Sequence, residues 1–236
     1  MHFHAPLVRA TLLQRYKRFL ADVRFDDGTI TTVHVANPGT MMGLIAPGEE
    51  IWVSPASNPD RKLQWNWELV TDNGHLVGIN TAHPNAIVAE ALKADAIPGL
   101  RGYEMHRREV KYGKNSRIDV LLESPGKPAC YLEVKNVHMK RGPDACFPDC
   151  VTARGAKHLE ELSDMVRAGY RAVMLFLVQR DDCKDFTFAD DIDPAYTAAF
   201  DRAMAAGVEA LCYACRLSLT EIALDHPLVI AWPRAK

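Results

Sequence analysis

The sequence predicts an α+β protein of two domains, a small all-β barrel followed by an α/β domain with a mixed sheet. Short strand-like segments joined by turns fill the first part of the 236-residue chain. After the segment "GINTAHPN", helix-like segments alternate with apolar runs. Such alternation is typical of a sheet covered by helices. We therefore expect one domain over residues 1–82 and a second over residues 83–236.

The first domain has five strand candidates joined by turns. They are "LVRATLLQRY", "RFLADVRF", "TITTVHV", "EEIWVS" and "WNWELVT". Asp26, Asp27 and Gly28 join the second to the third, and Asp-Gly between apolar alternating runs is a strong hairpin signal. The segment "GTMMGLIAPG" is expected to form a helical turn. Five short strands with one helical insertion suit a barrel of the oligonucleotide-binding type, a fold that binds nucleic acids and sugars.

The second domain alternates helices with apolar strands. "PNAIVAEALKADAI" predicts a helix with Asn85 as its cap, and "VTARGAKHLEELSDMVRAG" predicts a helix capped by Thr152 and ended by Gly169. "YRAVMLFLVQR" is apolar throughout, as in a strand buried on both faces. "PAYTAAFDRAMAAG" and "VEALCYACRLS" repeat the order of helix and strand. Strand, helix and strand in succession predict a right-handed parallel crossover.

Three ionisable residues interrupt two apolar runs in "RIDVLLESPGKPACYLEVKNV", which predicts two strands joined by a Pro-Gly turn. Centring the hairpin on Gly126 places Asp119 opposite Glu133. Opposed residues of an antiparallel pair lie about 4.5–5.5 Å apart at Cβ, where two like charges destabilise the pair. A hard divalent cation would compensate, since Mg²⁺ prefers oxygen ligands and keeps waters or phosphate in its other positions. The predicted cofactor is therefore Mg²⁺ or Mn²⁺.

Lys135 lies on the same strand face as Glu133, because strand side chains alternate. Asp119, Glu133 and Lys135 together resemble the signature of the PD-(D/E)XK nuclease superfamily. That resemblance implies a restriction-endonuclease-like second domain, and it supplies an acidic residue on a preceding helix, a place that Glu90 occupies. Asp119, Glu133 and Glu90 would hold metal, and Lys135 would orient water or stabilise charge on phosphorus. A simple ion pair between Glu133 and Lys135 is the structural alternative.

A longer resemblance covers nearly the whole chain. "HVANPGTMMGLIAPG", "NPDRKLQW", "GINTAHPN", "RIDVLL", "LEVKNV" and "FPDCVTARGAKHLEEL" resemble the sugar fermentation stimulation protein A family. The resemblance implies a bacterial protein with an oligonucleotide-binding-like domain and a nuclease-like domain. It also implies largely non-specific DNA binding and an association with maltose metabolism in a regulatory role. Nuclease activity follows from the fold family and not from an established reaction.

Clusters of basic residues are the candidates for nucleic-acid contacts. On the helix after the second strand of the pair, Arg154, Lys157 and His158 share one face, and an ordinary polar helix face is the alternative. In the first domain, cations alternate with aromatic residues, as in barrels that hold single strands. These cations are Arg15, Lys17, Arg18, Arg61 and Lys62. Tryptophans at alternate strand positions, such as Trp65 and Trp67, are more often core than binding residues.

A basic segment at residues 101–117 carries six Lys or Arg residues against two Glu, a local charge of +4 in a chain whose net charge is −2. Positive surfaces attract phosphates, and a solvated face is the alternative. No segment has the length of a membrane span, and the N-terminus lacks the layout of a secretory signal. We expect a cytoplasmic protein without a membrane partner. The sequence has no serine-hydrolase elbow, zinc-protease motif, Walker loop or dinucleotide fingerprint.

The leading hypothesis is a DNA-binding protein with a metal-dependent nuclease-type site. The alternatives are a DNA-binding transcriptional accessory protein without catalysis and a sugar-binding protein, since the predicted barrel also binds sugars. The sequence leaves the nucleic-acid substrate and the oligomeric state open. A homodimer is the candidate assembly, because many nucleases of this core pair to cut two strands.

Overall fold

The computed structural model describes residues 1–113 and 115–232, so Lys114 of the basic segment and the C-terminal end of the predicted second domain lie outside the described residues. The first part of the chain contains strands β1–β6. Their bounds are Val8–Tyr16, Leu20–Phe25, Ile30–Val35, Glu50–Pro55, Trp65–Asp72 and His75–Gly78. Neighbouring strands are antiparallel in the order β3-β2-β1-β4-β5-β6, and a parallel contact between β3 and β5 closes β1–β5 into a barrel. The predicted oligonucleotide-binding-like barrel is confirmed, with β6 as an addition that the sequence pattern did not indicate.

The barrel core is formed by the inward-facing residues of these strands. Trp67 is fully buried there, and Trp65 packs its ring against Phe25 with 5.1 Å between centroids. The predicted turn at residues 26–28 is present, with Gly28 in the left-handed region at φ +86°. Both tryptophans thus serve packing, which was the alternative to an exposed stacking surface.

The segment expected to form a helical turn, residues 39–48, contains turns but no helix. Met41, Gly43 and Gly48 adopt positive φ values of 53°, 83° and 95°. A right-handed helix cannot continue through left-handed residues. That prediction was wrong because backbone reversals at these positions outweigh the apolar composition of the segment.

The second part of the chain forms a mixed sheet with helices on both faces. Strands β7–β15 span Met105–Tyr112, Ser116–Glu123, Cys130–Val137, Lys140–Arg141, Asp144–Phe147, Arg171–Val178, Phe186–Phe188, Glu209–Leu217 and Ile222–Pro227. Helices α1–α3 span Pro84–Lys93, Ala153–Arg167 and Pro194–Ala205, and a short 3-10 helix spans Pro98–Leu100. The main sheet has the order β15-β14-β12-β9-β8-β7. The β14–β12 and β12–β9 pairs are parallel, and the β15–β14, β9–β8 and β8–β7 pairs are antiparallel. A small sheet, β10-β11-β13, lies beside it.

The helices of this domain divide between the two faces of the main sheet. The core on one side joins α1 to β9 and β12, and the core on the other side joins α2 and α3 to the same strands. Seven of the eight residues of β12 are buried, as the apolar run predicted. None of the described helices has the length and apolar character needed to cross a membrane.

Helix capping agrees with the sequence for α2 and differs for α1. The Thr152 side chain accepts a hydrogen bond from the Gly155 amide, and Gly169 follows α2 with φ +88°. The N-cap of α1 is His83, without a side-chain cap. Asn85, predicted as the cap, lies inside the helix and is used elsewhere.

Arg180, after β12, ties the barrel to the second domain. Its guanidinium is 1 % exposed and donates to Asp182 at 2.6 Å, to Asp72 of the barrel at 2.8 Å and to the carbonyl of His138 at 3.0 Å. A buried cation is tolerated only where partners compensate the lost hydration. The β5–β6 hairpin is further attached by a hydrogen bond from the Gly78 amide to the Gln179 carbonyl.

Replacing Arg180 with Ala is expected to destabilise the protein by about 3–5 kcal/mol, because Asp182 and Asp72 would be left without their buried partner. Urea unfolding followed by circular dichroism measures the loss. Arg216→Ala is the matched control, since Arg216 is an exposed arginine paired with Glu221, and such pairs contribute about 0–1 kcal/mol. Equal unfolding midpoints for the two variants would contradict the role of Arg180.

Candidate metal site and nucleic-acid surface

The candidate metal site lies where β8 separates from β9. The two strands pair through Val120 with Leu132, Leu121 with Tyr131, and Leu122 with Cys130. This is the register that the sequence predicts. Pairing with β9 ends at Val120, whereas β8 continues to pair with β7 down to Ser116. Asp119 and Glu133 are the next residues on each strand, at the fork.

Asp119 fills the fork with its side chain. One carboxylate oxygen accepts the Val134 amide hydrogen at 2.7 Å, and the other accepts the Asn85 side-chain amide at 2.8 Å. Burial is the main cause that raises the pKa of Asp119, the Glu133 charge adds to it, and these hydrogen bonds offset part of the rise. Asp119 is thus held in one orientation beside a like charge.

Glu133 is 3 % exposed, and its two carboxylate oxygens differ in their hydrogen bonds. Its Oε1 accepts from the Lys135 ammonium at 2.7 Å and also contacts Nδ1 of His158. Its Oε2 is buried and has no hydrogen-bond partner among the described residues. Burial alone would raise the pKa of Glu133, but Lys135 and His158 together lower it below its ordinary value. Glu133 is therefore an ionised buried carboxylate with one oxygen left over.

His158 supports Glu133 from α2. Arg154 donates its Nε hydrogen to Nε2 of His158 at 3.3 Å, and Nδ1 of the ring contacts Glu133. The sequence proposed a phosphate contact for His158, but both ring nitrogens are engaged and the side chain is only 5 % exposed. Arg154 and Lys157 stay at the surface, and Lys157 donates to Ser116 and pairs with Glu161. Of the predicted group on α2, these two cations remain available to solvent.

Glu90 does not join the carboxylate pair. Its side chain is 59 % exposed and forms an ion pair with the Met1 amino group at 2.6 Å. Asn85 is the α1 residue that reaches Asp119, and five helical positions turn Glu90 by about 140° from it. Within residues 1–113 and 115–232, no three His, Cys, Asp or Glu residues form a group arranged to hold a metal. The expectation that Glu90 completes a three-carboxylate set is corrected accordingly.

Arg15 has a structural role in the barrel. Its guanidinium donates to the carbonyls of Arg18, Asn37, Gly39 and Thr40 at 2.8–3.2 Å. Burial lowers its pKa. The donors of Arg15 are therefore already used by backbone carbonyls, which argues against the predicted phosphate contact.

Lys17 and Arg18 form the exposed tip of the β1–β2 hairpin. Both adopt positive φ values, 49° and 63°. Arg61 and Lys62 lie in the loop between β4 and β5, where Arg61 donates to Asn66 at 3.0 Å. The structure thus places these four predicted cations in two separate loops, Lys17 and Arg18 at the hairpin tip and Arg61 and Lys62 between β4 and β5.

The basic segment forms β7 and the start of β8. Arg107 pairs with Glu123 at 2.8 Å, whereas Arg108, Lys111 and Arg117 are exposed. Since β7 is the edge of the main sheet, these cations lie along the edge that borders the fork. The residues of β7 are mostly polar and exposed, which explains why the apolar pattern of the sequence did not predict a strand there.

The sequence also failed to indicate a polar network between the domains. Asp149 accepts from the Met41 amide at 3.0 Å and faces Nε2 of His138 at 3.3 Å. Asn136 contacts Nδ1 of His138 at 3.1 Å and accepts from Gln179 at 2.6 Å. Three of these residues, Asn136, His138 and Asp149, line a cleft of about 770 Å³ between the barrel and the sheet domain. No spacing in the sequence connects them, because they come from separate loops and strand ends.

Comparison with known proteins gives consistent matches along the chain. Residues 13–79 match the family model described as the SfsA N-terminal OB domain, and residues 82–221 match the sugar fermentation stimulation protein RE domain. A sugar fermentation stimulation protein homolog of Paramagnetospirillum magneticum is 64 % identical, with 98 % of each chain covered. The homolog of Rhodospirillum centenum is 60 % identical over 97 % of this chain and 98 % of its own.

A solved structure matches the whole fold. It is that of Pyrococcus furiosus SfsA in complex with Ca²⁺, with a TM-score of 0.89, 26 % identity, and coverage of 98 % of this chain and 97 % of that one. Both family models together span most of the sequence, and the relatives are similar over nearly their full length. The chain belongs to the sugar fermentation stimulation protein family.

Proposed function

We propose that this protein is a divalent-metal-dependent phosphodiesterase that acts on nucleic acid, with Asp119, Glu133 and Lys135 as its catalytic residues. The observation that carries the proposal is the buried, unpartnered Oε2 of Glu133 beside Asp119 at the fork. A buried acceptor without a partner costs about 1–3 kcal/mol. A metal ion bound at the fork would satisfy this atom.

The residues at the fork fit a divalent cation. Asp119 and Glu133 offer carboxylate oxygens with free lone pairs, and Mg²⁺ is commonly held by one or two carboxylates plus waters and substrate phosphate. A third protein carboxylate is therefore unnecessary, which removes the need for Glu90. The structure of Pyrococcus furiosus SfsA in complex with Ca²⁺ supports a cation with oxygen ligands in this family. Mg²⁺ or Mn²⁺ as the working ion is part of the proposal.

The residues at the fork would have separate roles in phosphodiester cleavage. A bound cation supplies Lewis-acid activation of the phosphate and lowers the pKa of a water. Lys135 is 14 % exposed, donates to Glu133 at 2.7 Å and lies 3.3 Å from Nδ1 of His158. Its ammonium would also bind a phosphoryl oxygen or the attacking water. Asn85 and the Val134 amide hold Asp119, and His158 with Arg154 holds Glu133. Fixed groups of this kind act without reorganisation during the reaction.

Nucleic acid is the substrate class that the surroundings favour. Arg154 and Lys157 on α2 and the exposed cations of β7 and β8 flank the fork on a chain whose overall charge is −2. Localised cations on a weakly acidic protein direct a polyanion to one place. DNA binding without turnover is the alternative and would place these proteins among regulators of sugar metabolism, including maltose, as accessory factors. Turnover alone distinguishes the two.

Asp119→Asn is expected to abolish cleavage while leaving DNA binding intact. Loss of one fixed electrostatic group in an active site commonly costs about 10²–10³ in rate. End-labelled single-stranded, duplex and branched DNA and RNA, each in Mg²⁺ and in Mn²⁺, measure turnover, and fluorescence anisotropy in EDTA measures binding. Asp95→Asn is the matched control, because Asp95 is exposed and its positive φ of 51° suits Asn. Binding without cleavage by the wild type in every lane would replace the proposal with the accessory-protein alternative.

Metal binding is testable without turnover. Divalent cations should raise the melting temperature of the wild type, since a ligand present at 100 times its Kd stabilises the folded state by about 2.7 kcal/mol. Glu133→Gln should lose that rise, because it removes the negative charge that Glu133 contributes at the fork. Differential scanning fluorimetry with Ca²⁺, Mn²⁺ and Mg²⁺ measures the shift against Asp95→Asn. An equal rise in Glu133→Gln and the wild type would place the cation elsewhere.

His158 is expected to be a positioning residue. His158→Ala should weaken metal affinity and lower kcat by about 10–100-fold, as for other groups that orient ligands. His158→Asn should recover most of both, because the Asn amide can donate to Glu133 as Nδ1 does. The readout is the metal concentration at half-maximal rate, measured with kcat and KM separately. An equal loss in the Asn and Ala variants would show that His158 does more than hold Glu133.

A further inference from the structure

A second candidate site is the cleft between the barrel and the sheet domain, separate from the carboxylate fork. It encloses about 770 Å³, a size within the range of about 300–1,000 Å³ that small-molecule sites occupy. The tip of the β1–β2 hairpin and the loop at residues 37–40 form one wall. The end of β9 and residues 147–152 form the other. Ligands of open α/β sheets commonly bind outside the carboxyl ends of strands, which is where β9 meets this cleft.

The walls of the cleft are held in place before any ligand binds. Arg15 fixes the loop at residues 37–40 through its carbonyls. Across the cleft, Asp149 accepts from the Met41 amide, and the Thr40 hydroxyl donates to the Asp149 carbonyl at 2.7 Å. A Cβ on Gly39 would approach a carboxylate oxygen of Asp149 to 2.7 Å, so the contact requires glycine. A rigid cleft lowers the ordering cost of binding.

Two cations in the cleft have no assigned task. Lys17 and Arg18 line it and are exposed, and in the described part of the chain no hydrogen bond or ion pair engages either side-chain head. The carboxylate that faces the cleft, Asp149, is already used by Met41 and His138. Both cations sit at positive φ, which is costly for residues with a Cβ and is concentrated at functional sites. The hairpin therefore presents positive charge without a protein counter-charge.

Apolar surface borders the same cations. Tyr16, Phe147, Pro148 and Val151 line the cleft, and Val151 is 73 % exposed. Phe19, next to Arg18, is 46 % exposed. Phe147 is only partly buried, so it adds aromatic surface to that of Val151 and Phe19. Such apolar surface beside unpaired cations complements a ligand that is anionic at one end and flat and apolar at the other.

We infer that this cleft binds a nucleoside phosphate, with the phosphate on Lys17 and Arg18 and the base against the wall of Phe147 and Val151. The ligand is a free mononucleotide or one nucleotide of a strand. Glu133 and His138 are five residues apart along β9 and its extension, about 16 Å at 3.3 Å per residue. The oligonucleotide probe below tests whether one nucleic-acid strand reaches both sites. The inference does not require metal or turnover at the fork.

The experiment measures binding in EDTA, so that the fork contributes no cation. Isothermal titration calorimetry of the full chain uses dAMP, adenosine, ribose 5-phosphate and a six-residue oligodeoxynucleotide as probes. The comparison variant is Lys17→Asn with Arg18→Asn, because Asn tolerates positive φ and the fold is retained. Lys93→Asn with Lys184→Asn, two exposed lysines elsewhere, is the matched control, and Asp119→Asn separates the cleft from the fork.

The wild type, the control and Asp119→Asn should bind dAMP equally, and the hairpin variant should bind at least about tenfold more weakly because charge-assisted hydrogen bonds to phosphate are lost. Adenosine and ribose 5-phosphate should each bind more weakly than dAMP, since each lacks one half of the recognised group. Tighter binding of the oligonucleotide than of dAMP assigns the cleft to a strand, and equal binding assigns it to the free nucleotide. No dAMP binding at millimolar concentration, unchanged affinity in the hairpin variant, or ribose 5-phosphate binding equal to dAMP would overturn the inference. Failure at the fork would instead appear as lost turnover with dAMP binding unchanged.

Discussion

The separation of β8 from β9 at Asp119 is the constraint on which the candidate metal site depends. An antiparallel ladder that continued past Val120 would pair the Val134 amide with a backbone carbonyl. Instead the Asp119 carboxylate accepts that amide, so the donor is satisfied while the strands part. The opening leaves Asp119 close enough to Glu133 for the two charges to interact, and β8 keeps its backbone partners by pairing with β7. A side chain thus replaces a ladder hydrogen bond, and a place for a ligand results.

The two carboxylate oxygens of Glu133 differ in their hydrogen bonds because its neighbours approach only one of them. Lys135 and His158 both approach Oε1, which offsets the cost of burying the charge and lowers the pKa of Glu133. Neither reaches Oε2. A half-satisfied buried charge is more costly than a fully bonded one. A cation bound at Oε2, as proposed above, would remove that cost, whereas the simple ion pair that the sequence alone also allowed would not.

Local and periodic features of the sequence predicted much of this fold. The register of β8 with β9 followed from alternation and a central turn, and the buried strand β12 followed from its apolar run. Features that depend on distant contacts were not predictable in this way. Glu90 lies on the expected helix, but its rotation and its partner, Met1, are set by packing at the far end of the chain. His158 reaches Glu133 across 25 positions, and only the docking of α2 onto the sheet decides which of its neighbours faces inward.

Strand β9 connects the two candidate sites, and this fixes the distance between them. In β9, Glu133 and Lys135 face α2, whereas Asn136 turns to the opposite face and His138 follows the end of the strand at the cleft. Arg180 and Gln179, at the end of the neighbouring strand β12, bond to His138 and Asn136 and also hold the barrel. The barrel is therefore fixed at the strand ends that lie beside both sites. The fork and the cleft are therefore held in a fixed relation to each other, so a ligand in one site would meet the other at a constant distance.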